Sequence, residues 1–165
     1  MRLRPYGEED HWLTEALEGD PEVMRHLGGP APLGRARQVH ERRLAAAGEW
    51  YRTILAGPHD TPAGVVAVFG TAWQGEEIAE LGIMLLPGLR QRHGVAVGAI
   101  RLLVAEVHAS GRVPRLHAFI APANAAAAAV ARRVGFVSGG TVDVDYEGVP
   151  IRCEHWALDL GAPAG

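Results

Sequence analysis

At 165 residues, 48% of them apolar, and with a formal net charge of −3, the chain has the length and composition for a domain with its own core. The mild acidic balance excludes a general nucleic-acid binder, which would carry a basic face. The single cysteine, Cys153, excludes an internal disulfide framework, and no run reaches the ~20 apolar residues of a membrane span.

Residues 1–6 read as a short first strand. Residues 8–17 read as a helix whose Glu8, Glu9 and Asp10 suit the positive end of its dipole. Gly19-Asp20-Pro21 interrupts it, and residues 21–27 open a second short helix with proline at its first position. A Gly/Pro loop leads to a charged, solvent-facing helix over 33–47. Residues 50–56 and 63–73 read as a strand pair joined by the turn residues 57–62, and Gln74-Gly75-Glu76-Glu77 turns the chain again. A strand over 115–121, an alanine-rich helix opened by Asn124 and closed by Gly135, and a terminal hairpin (139–146 with 151–158) complete the chain. Strands come first as a hairpin series and then alternate with helices, which is a mixed α/β (α+β) pattern with a mostly antiparallel sheet.

The most informative stretch is 79–96. An apolar strand, Ala79 to Leu86, ends at Pro87-Gly88, and a helix follows whose apolar face is Ile100, Leu103, Val104 and Val107. The first amides of a helix have no partner within it, and its dipole favours negative charge there. Gly94 and Ala96 let a ligand approach that backbone, and Arg90, Arg92 and His93 add positive charge. This combination suits a diphosphate. It is neither a Walker loop nor a Rossmann fingerprint, because no Gly-Lys-Ser/Thr and no G-x-G-x-x-G is present.

Gln91-x-x-Gly94-x-Ala96, on a strand–loop–helix junction, resembles the Q/R-x-x-G-x-G/A signature of the GNAT superfamily of acyl-CoA-dependent N-acetyltransferases. Asn124 with the downstream Gly135-Phe136 resembles that family's N-x-x-S…G-F segment. The resemblance implies one domain over 1–165, with a mostly antiparallel central sheet flanked by helices, acceptor-side helices within 6–50 and a cofactor core over 79–136. It implies acetyl-CoA (coenzyme A) as co-substrate, held by the amides of Gln91, Arg92, His93, Gly94, Val95 and Ala96, by the backbone of Met84, Leu85 and Leu86, and by the Asn124 side chain. Asn124 also suits a plain helix N-cap.

Acyl transfer to an amine needs a group to take the amine's proton, since amines are largely ammonium at neutral pH. Glu80, in an apolar strand, sits where the histone-acetyltransferase branch carries its glutamate base. His117 is a second candidate, on the same strand face as Phe119. Where another branch has an acidic tyrosine and a serine, this chain has Ala131 and Ala127, so either no side-chain acid is used or another group serves, Tyr146 being one candidate. Cys153 reads as a semi-buried strand residue rather than a nucleophile, and the scattered histidines predict no metal site. Leu3-Arg4-Pro5 and residues 20–27 are similar to the branch containing ribosomal-protein N-terminal acetyltransferases. The expected function is direct acetyl transfer to a primary amine, either a small molecule or a peptide N-terminus. The alternative is a non-catalytic acyl-CoA-binding module. A cytoplasmic protein is expected, compatible with a homodimer, and without nucleic-acid or membrane partners.

Overall fold

The computed structural model describes residues 1–32, 34–89, 93–146 and 148–161, apart from the side chains of His93, Tyr146 and Val149. In chain order the elements are β1 (Arg2–Pro5), a 3-10 turn (Glu8–Asp10), α1 (His11–Glu18), α2 (Pro21–Met24), α3 (Arg35–Ala45), β2 (Trp50–Ala56), β3 (Thr61–Trp73), β4 (Glu76–Leu85), α4 (His93–Ser110), β5 (Arg115–Ile120), α5 (Ala125–Val134), β6 (Val137–Tyr146) and β7 (Val149–Asp159). The strands form one sheet ordered β1-β2-β3-β4-β5-β7-β6, antiparallel except for the β4–β5 neighbours.

Alternation along each strand sends one set of side chains to each face of the sheet. Val66, Val68, Leu81, Leu116 and Trp156 pack against Ile100, Leu103 and Val107 of α4 and against Val130 and Ala131 of α5. On the other face, Val65 and Met84 meet Leu13 and Leu17 of α1 and Val23 of α2. No helix among the described residues is long and apolar enough to cross a membrane.

Two local expectations need correction, and one residue has a role its pattern does not reveal. The helix over 33–47 is not simply solvent-facing: Val39 and His40 are buried, and Arg43 is turned inward. The turn after β3 uses only Gln74 and Gly75, at φ 52° and 81°, and Glu76 and Glu77 already belong to β4. Two successive positive φ angles are the tight hairpin turn that matches strand twist. Asp10 is a first-turn acid as expected, and it is also fully buried. It accepts two bonds from Arg4 (2.8 and 2.9 Å), one from the Gly7 N–H (2.9 Å) and one from Thr53 Oγ1 (2.7 Å).

That carboxylate ties β1 and β2 to the start of α1. Burial alone would raise its pKa, but its hydrogen bonds to Arg4, Gly7 and Thr53 outweigh burial and hold it below the usual value. A depressed carboxyl pKa stabilises the fold above the unfolded value and loses that contribution as pH falls through the folded one. An Asp10→Ala change, which strands a half-buried Arg4, is expected to cost about 3–5 kcal/mol. Urea denaturation at neutral pH reads this as a lowered midpoint, and the deficit narrows in acid.

Candidate active site

The site begins where the sheet splits. β3 pairs with β4 all the way from Trp73↔Glu76 to Gly64↔Leu85. On its other edge β4 pairs with β5 only at Ala79↔Leu116 and Glu80↔His117. Beyond Glu80 the two strands part, and residues 81–85 present a backbone edge that β5 does not use. A cavity of about 980 Å³ runs through this gap. Leu85, Ala96, Val130 and Phe136 line its α4/α5 side, and Tyr51, Phe69, Trp73 and Phe119 line its α1–α3 side.

Backbone direction sorts the β4 positions singled out from the sequence. The Leu86 N–H donates to Ala63 O at 2.9 Å, so it serves the sheet. Strand alternation turns Met84 the same way and turns Leu85, Ile83 and Leu81 towards the opening. Of Met84, Leu85 and Leu86, only Leu85 therefore offers its N–H and C=O to the gap. The chain then enters α4 at His93, so the amides of Gly94, Val95 and Ala96 lie in the helix's first turn, where intrahelical acceptors are missing. A Cβ built on Gly94 would meet nothing within 4 Å. Gln91 and Arg92 lie outside the described residues, as does the His93 side chain.

Glu80 stands at the fork itself. It is half-buried in the cavity wall, and burial pushes its carboxyl up to about 7, so it gains and loses a proton near neutrality. His117, its register neighbour on β5, is engaged elsewhere: its Nδ1 lies 2.9 Å from His155 Nε2. Burial and then the Arg115 charge lower the His117 pKa, and burial and then His117 lower that of His155, so the site favours the uncharged form of both rings. The two rings sit with Trp73 and Phe119 in one cluster, with Trp73 centred 4.3 Å from His155.

Cys153 is more buried than the sequence suggested, at 4% exposed. Burial, then the charges of Glu80 and Asp143, raise its pKa, which keeps it a thiol at neutral pH and a poor nucleophile. Asn124 caps α5: its Oδ1 accepts from the Ala127 N–H at 3.2 Å while the residue also lines the cavity. Its two readings are therefore compatible. Tyr146 pairs with Val149 at the end of the β6–β7 hairpin, but its side chain lies outside the described set. Among the described residues no three His, Cys, Asp or Glu side chains are placed to hold a metal ion.

Two features were missed from the sequence. One is the His117–His155 pair, formed by strands 38 positions apart in sequence. The other is a buried polar chain beneath the cavity's α1–α3 wall. Arg43 reaches Glu18 at 3.2 Å and Thr14 at 2.9 Å, and the Tyr6 hydroxyl lies 2.6 Å from both Thr14 Oγ1 and His40 Nδ1. The only available signal was an acid and a base inside otherwise amphipathic helices.

The sequence profile of the acetyltransferase (GNAT) domain matches residues 1–137. No curated protein sequence matches the chain. Solved structures share its fold. An aminoglycoside acetyltransferase in complex with coenzyme A superimposes at TM-score 0.75 with 17% identity, covering 95% of this chain and 93% of that one. A spermidine N-acetyltransferase from Vibrio cholerae, with CoA and spermine, gives TM-score 0.77 with 15% identity over 96% and 95% of the two chains. An acetyltransferase from Agrobacterium tumefaciens gives 0.75 with 23% identity over 94% and 88%.

Proposed function

The chain belongs to the acetyltransferase (GNAT) family, and from that premise we infer that it moves an acetyl group from acetyl-CoA to a primary amine by direct transfer in the gap between β4 and β5. The observation that carries this reading is the cavity passing through the sheet at the fork, with Glu80 in its wall. An acyl-CoA arm needs a long slot with peptide-like donors and acceptors, and the open edge over 81–85 offers them. A diphosphate needs helix-start amides and room, and Gly94 leaves that room.

Acetyl-CoA, when bound, supplies the acetyl group as a thioester. Leu85 binds the arm through its N–H and C=O. The Ile83 and Leu81 amides face the same way, and one of them steadies the carbonyl oxygen as charge grows on it. Gly94, Val95 and Ala96, with Gln91, Arg92 and His93, hold the diphosphate. Asn124, its Oδ1 already on Ala127, contacts the arm through its NH₂. Glu80 accepts the proton that the amine loses as the new N–C bond forms, and its pKa of about 7 suits that task. Ala131 and Ala127 cannot donate a proton, so the thiolate leaves without a side-chain acid from α5. The acceptor enters from the α1–α3 side and is a small amine or a peptide N-terminus. The lone buried Cys153 is in keeping with a cytoplasmic enzyme.

The test is mass-spectrometric analysis of amines incubated with the protein and acetyl-CoA. A product heavier by one acetyl group, formed only with the protein present, is the expected result. Saturable acetyl-CoA binding with no acetylated amine from a broad panel would instead identify a non-catalytic acyl-CoA module.

A further inference from the structure

Starting from this acetyl-transfer reading, we propose that the acceptor is a primary amine carrying a single flat, apolar body, of the arylalkylamine type, rather than a polyamine or an amino sugar. The observation is the aromatic lining around Glu80. Phe69 is the register partner of Glu80 on β3, and its ring lies over Gly82, where an added Cβ would meet Phe69 Cε1 at 3.4 Å. Tyr51 stacks on Phe69, with centroids 6.1 Å apart and planes at 10°. Four residues along β3 on the same face, Trp73 packs edge-on to Phe119 at 5.5 Å. At about 3.4 Å per residue the Phe69 and Trp73 backbones are roughly 13 Å apart, and the Glu80 register position lies at one end of that interval. A flat ring held between the two aromatic groups would carry its amine to the carboxyl.

Charge argues in the same direction. A polycation is recognised by several unengaged carboxylates, and those along this cavity have partners in the fold. Glu18 is paired with the inward-turned Arg43 at 3.2 Å. Glu49 accepts from the Gly70 N–H at 2.9 Å. Asp143 lies 3.5 Å from Arg152, and Asp145 accepts from the Gly148 N–H at 2.8 Å. Among the described residues lining the cavity, Glu80 is the carboxyl without a counter-ion in the fold, and burial is the cause of its perturbed acidity. The His117–His155 bond, backed by the 4.3 Å Trp73–His155 contact, fixes the Trp73 side of the slot.

The test compares kcat/KM for 2-phenylethylamine, propylamine, spermidine and kanamycin with acetyl-CoA. The expected order places 2-phenylethylamine at least about tenfold above the other three, consistent with the area an aromatic ring buries. Trp73→Ala should lower kcat/KM for 2-phenylethylamine by about tenfold or more, narrowing its advantage over propylamine, with the KM for acetyl-CoA within about twofold of the wild type. Calorimetric binding of 2-phenylethylamine to the CoA complex of the wild-type protein, weakened in Trp73→Ala, gives the same answer without catalysis. Spermidine or kanamycin matching or exceeding 2-phenylethylamine would overturn the assignment while upholding acetyl transfer. Absence of turnover with all four amines, with no calorimetric binding of 2-phenylethylamine, would overturn the assignment, and acetyl transfer would then stand or fall on the broad panel with peptide N-termini included.

Discussion

Replacing Glu80 by glutamine is expected to lower kcat by about 10²- to 10⁴-fold, the usual range for loss of a positioned base, while leaving acetyl-CoA affinity within about twofold. The substitution keeps size and polarity and removes only the ability to hold a proton. Glu80 sits on β4 at the last position paired to β5, with its side chain on the face opposite the packing of α4 and α5, so the diphosphate end of the cleft does not sense it. The same change has a stability signature of opposite sign. A carboxyl raised from 4.5 to about 7 by burial binds its proton more tightly in the folded state than in the unfolded state. Folding is therefore weakened as pH rises from the unfolded value to the folded one and stays weakened above it. Glu80→Gln should be more stable than the wild type by about 1–3 kcal/mol at pH 8 and indistinguishable from it near pH 4. A less active but sturdier variant is what a buried base implies, whereas loss of a structural carboxylate would lower both properties.

The second large effect is expected at Gly94. An aspartate there meets open space, because an added Cβ has no neighbour within 4 Å. It also sits in the first turn of α4, where a negative side chain complements the helix dipole and favours the fold by about 0.3–1 kcal/mol. A bound diphosphate would meet that charge directly. Gly94→Asp should weaken acetyl-CoA binding on the order of 10- to 100-fold, the scale of losing one or two hydrogen bonds to a charged group, with melting temperature unchanged or raised when no ligand is present. Thermal unfolding separates the two effects. Acetyl-CoA at a hundred times its dissociation constant stabilises a protein that binds it by about 2.7 kcal/mol, and at that same concentration about half of this shift or more should vanish in the variant. A variant that unfolds early without ligand would place Gly94 in the packing rather than at the ligand.

What could be read from the sequence follows the reach of each signal. Local signals located the strand–loop–helix junction, because Pro87-Gly88 and the Ile100–Val107 periodicity act within a few residues. They also located the Asn124 cap, whose bond to Ala127 spans three positions. Glu80 was conspicuous as an acid among apolar neighbours. The fork that gives Glu80 its place had no local signal, since nothing in the composition of β4 or β5 says that pairing stops after two positions. Register decided the rest. Leu86 bonds to Ala63 rather than facing the gap, Phe69 comes opposite Glu80, and His117 finds His155, because strands distant in the chain pair at one offset and no other. The burial of Asp10 was hidden for a related reason. Acids at a helix start ordinarily face water, and its inward turn depends on Arg4 and Thr53 arriving from two other strands.

The most direct measurement is the pH dependence of kcat/KM for an amine acceptor, in the wild type and in Glu80→Gln side by side. An ascending limb centred near pH 7 in the wild type, absent from the variant although the variant binds acetyl-CoA normally, is the result expected if Glu80 takes the amine's proton in the β4–β5 gap. Equal rates with superimposable profiles for the two proteins would contradict it, and the proton would then have to leave by a route that does not involve Glu80.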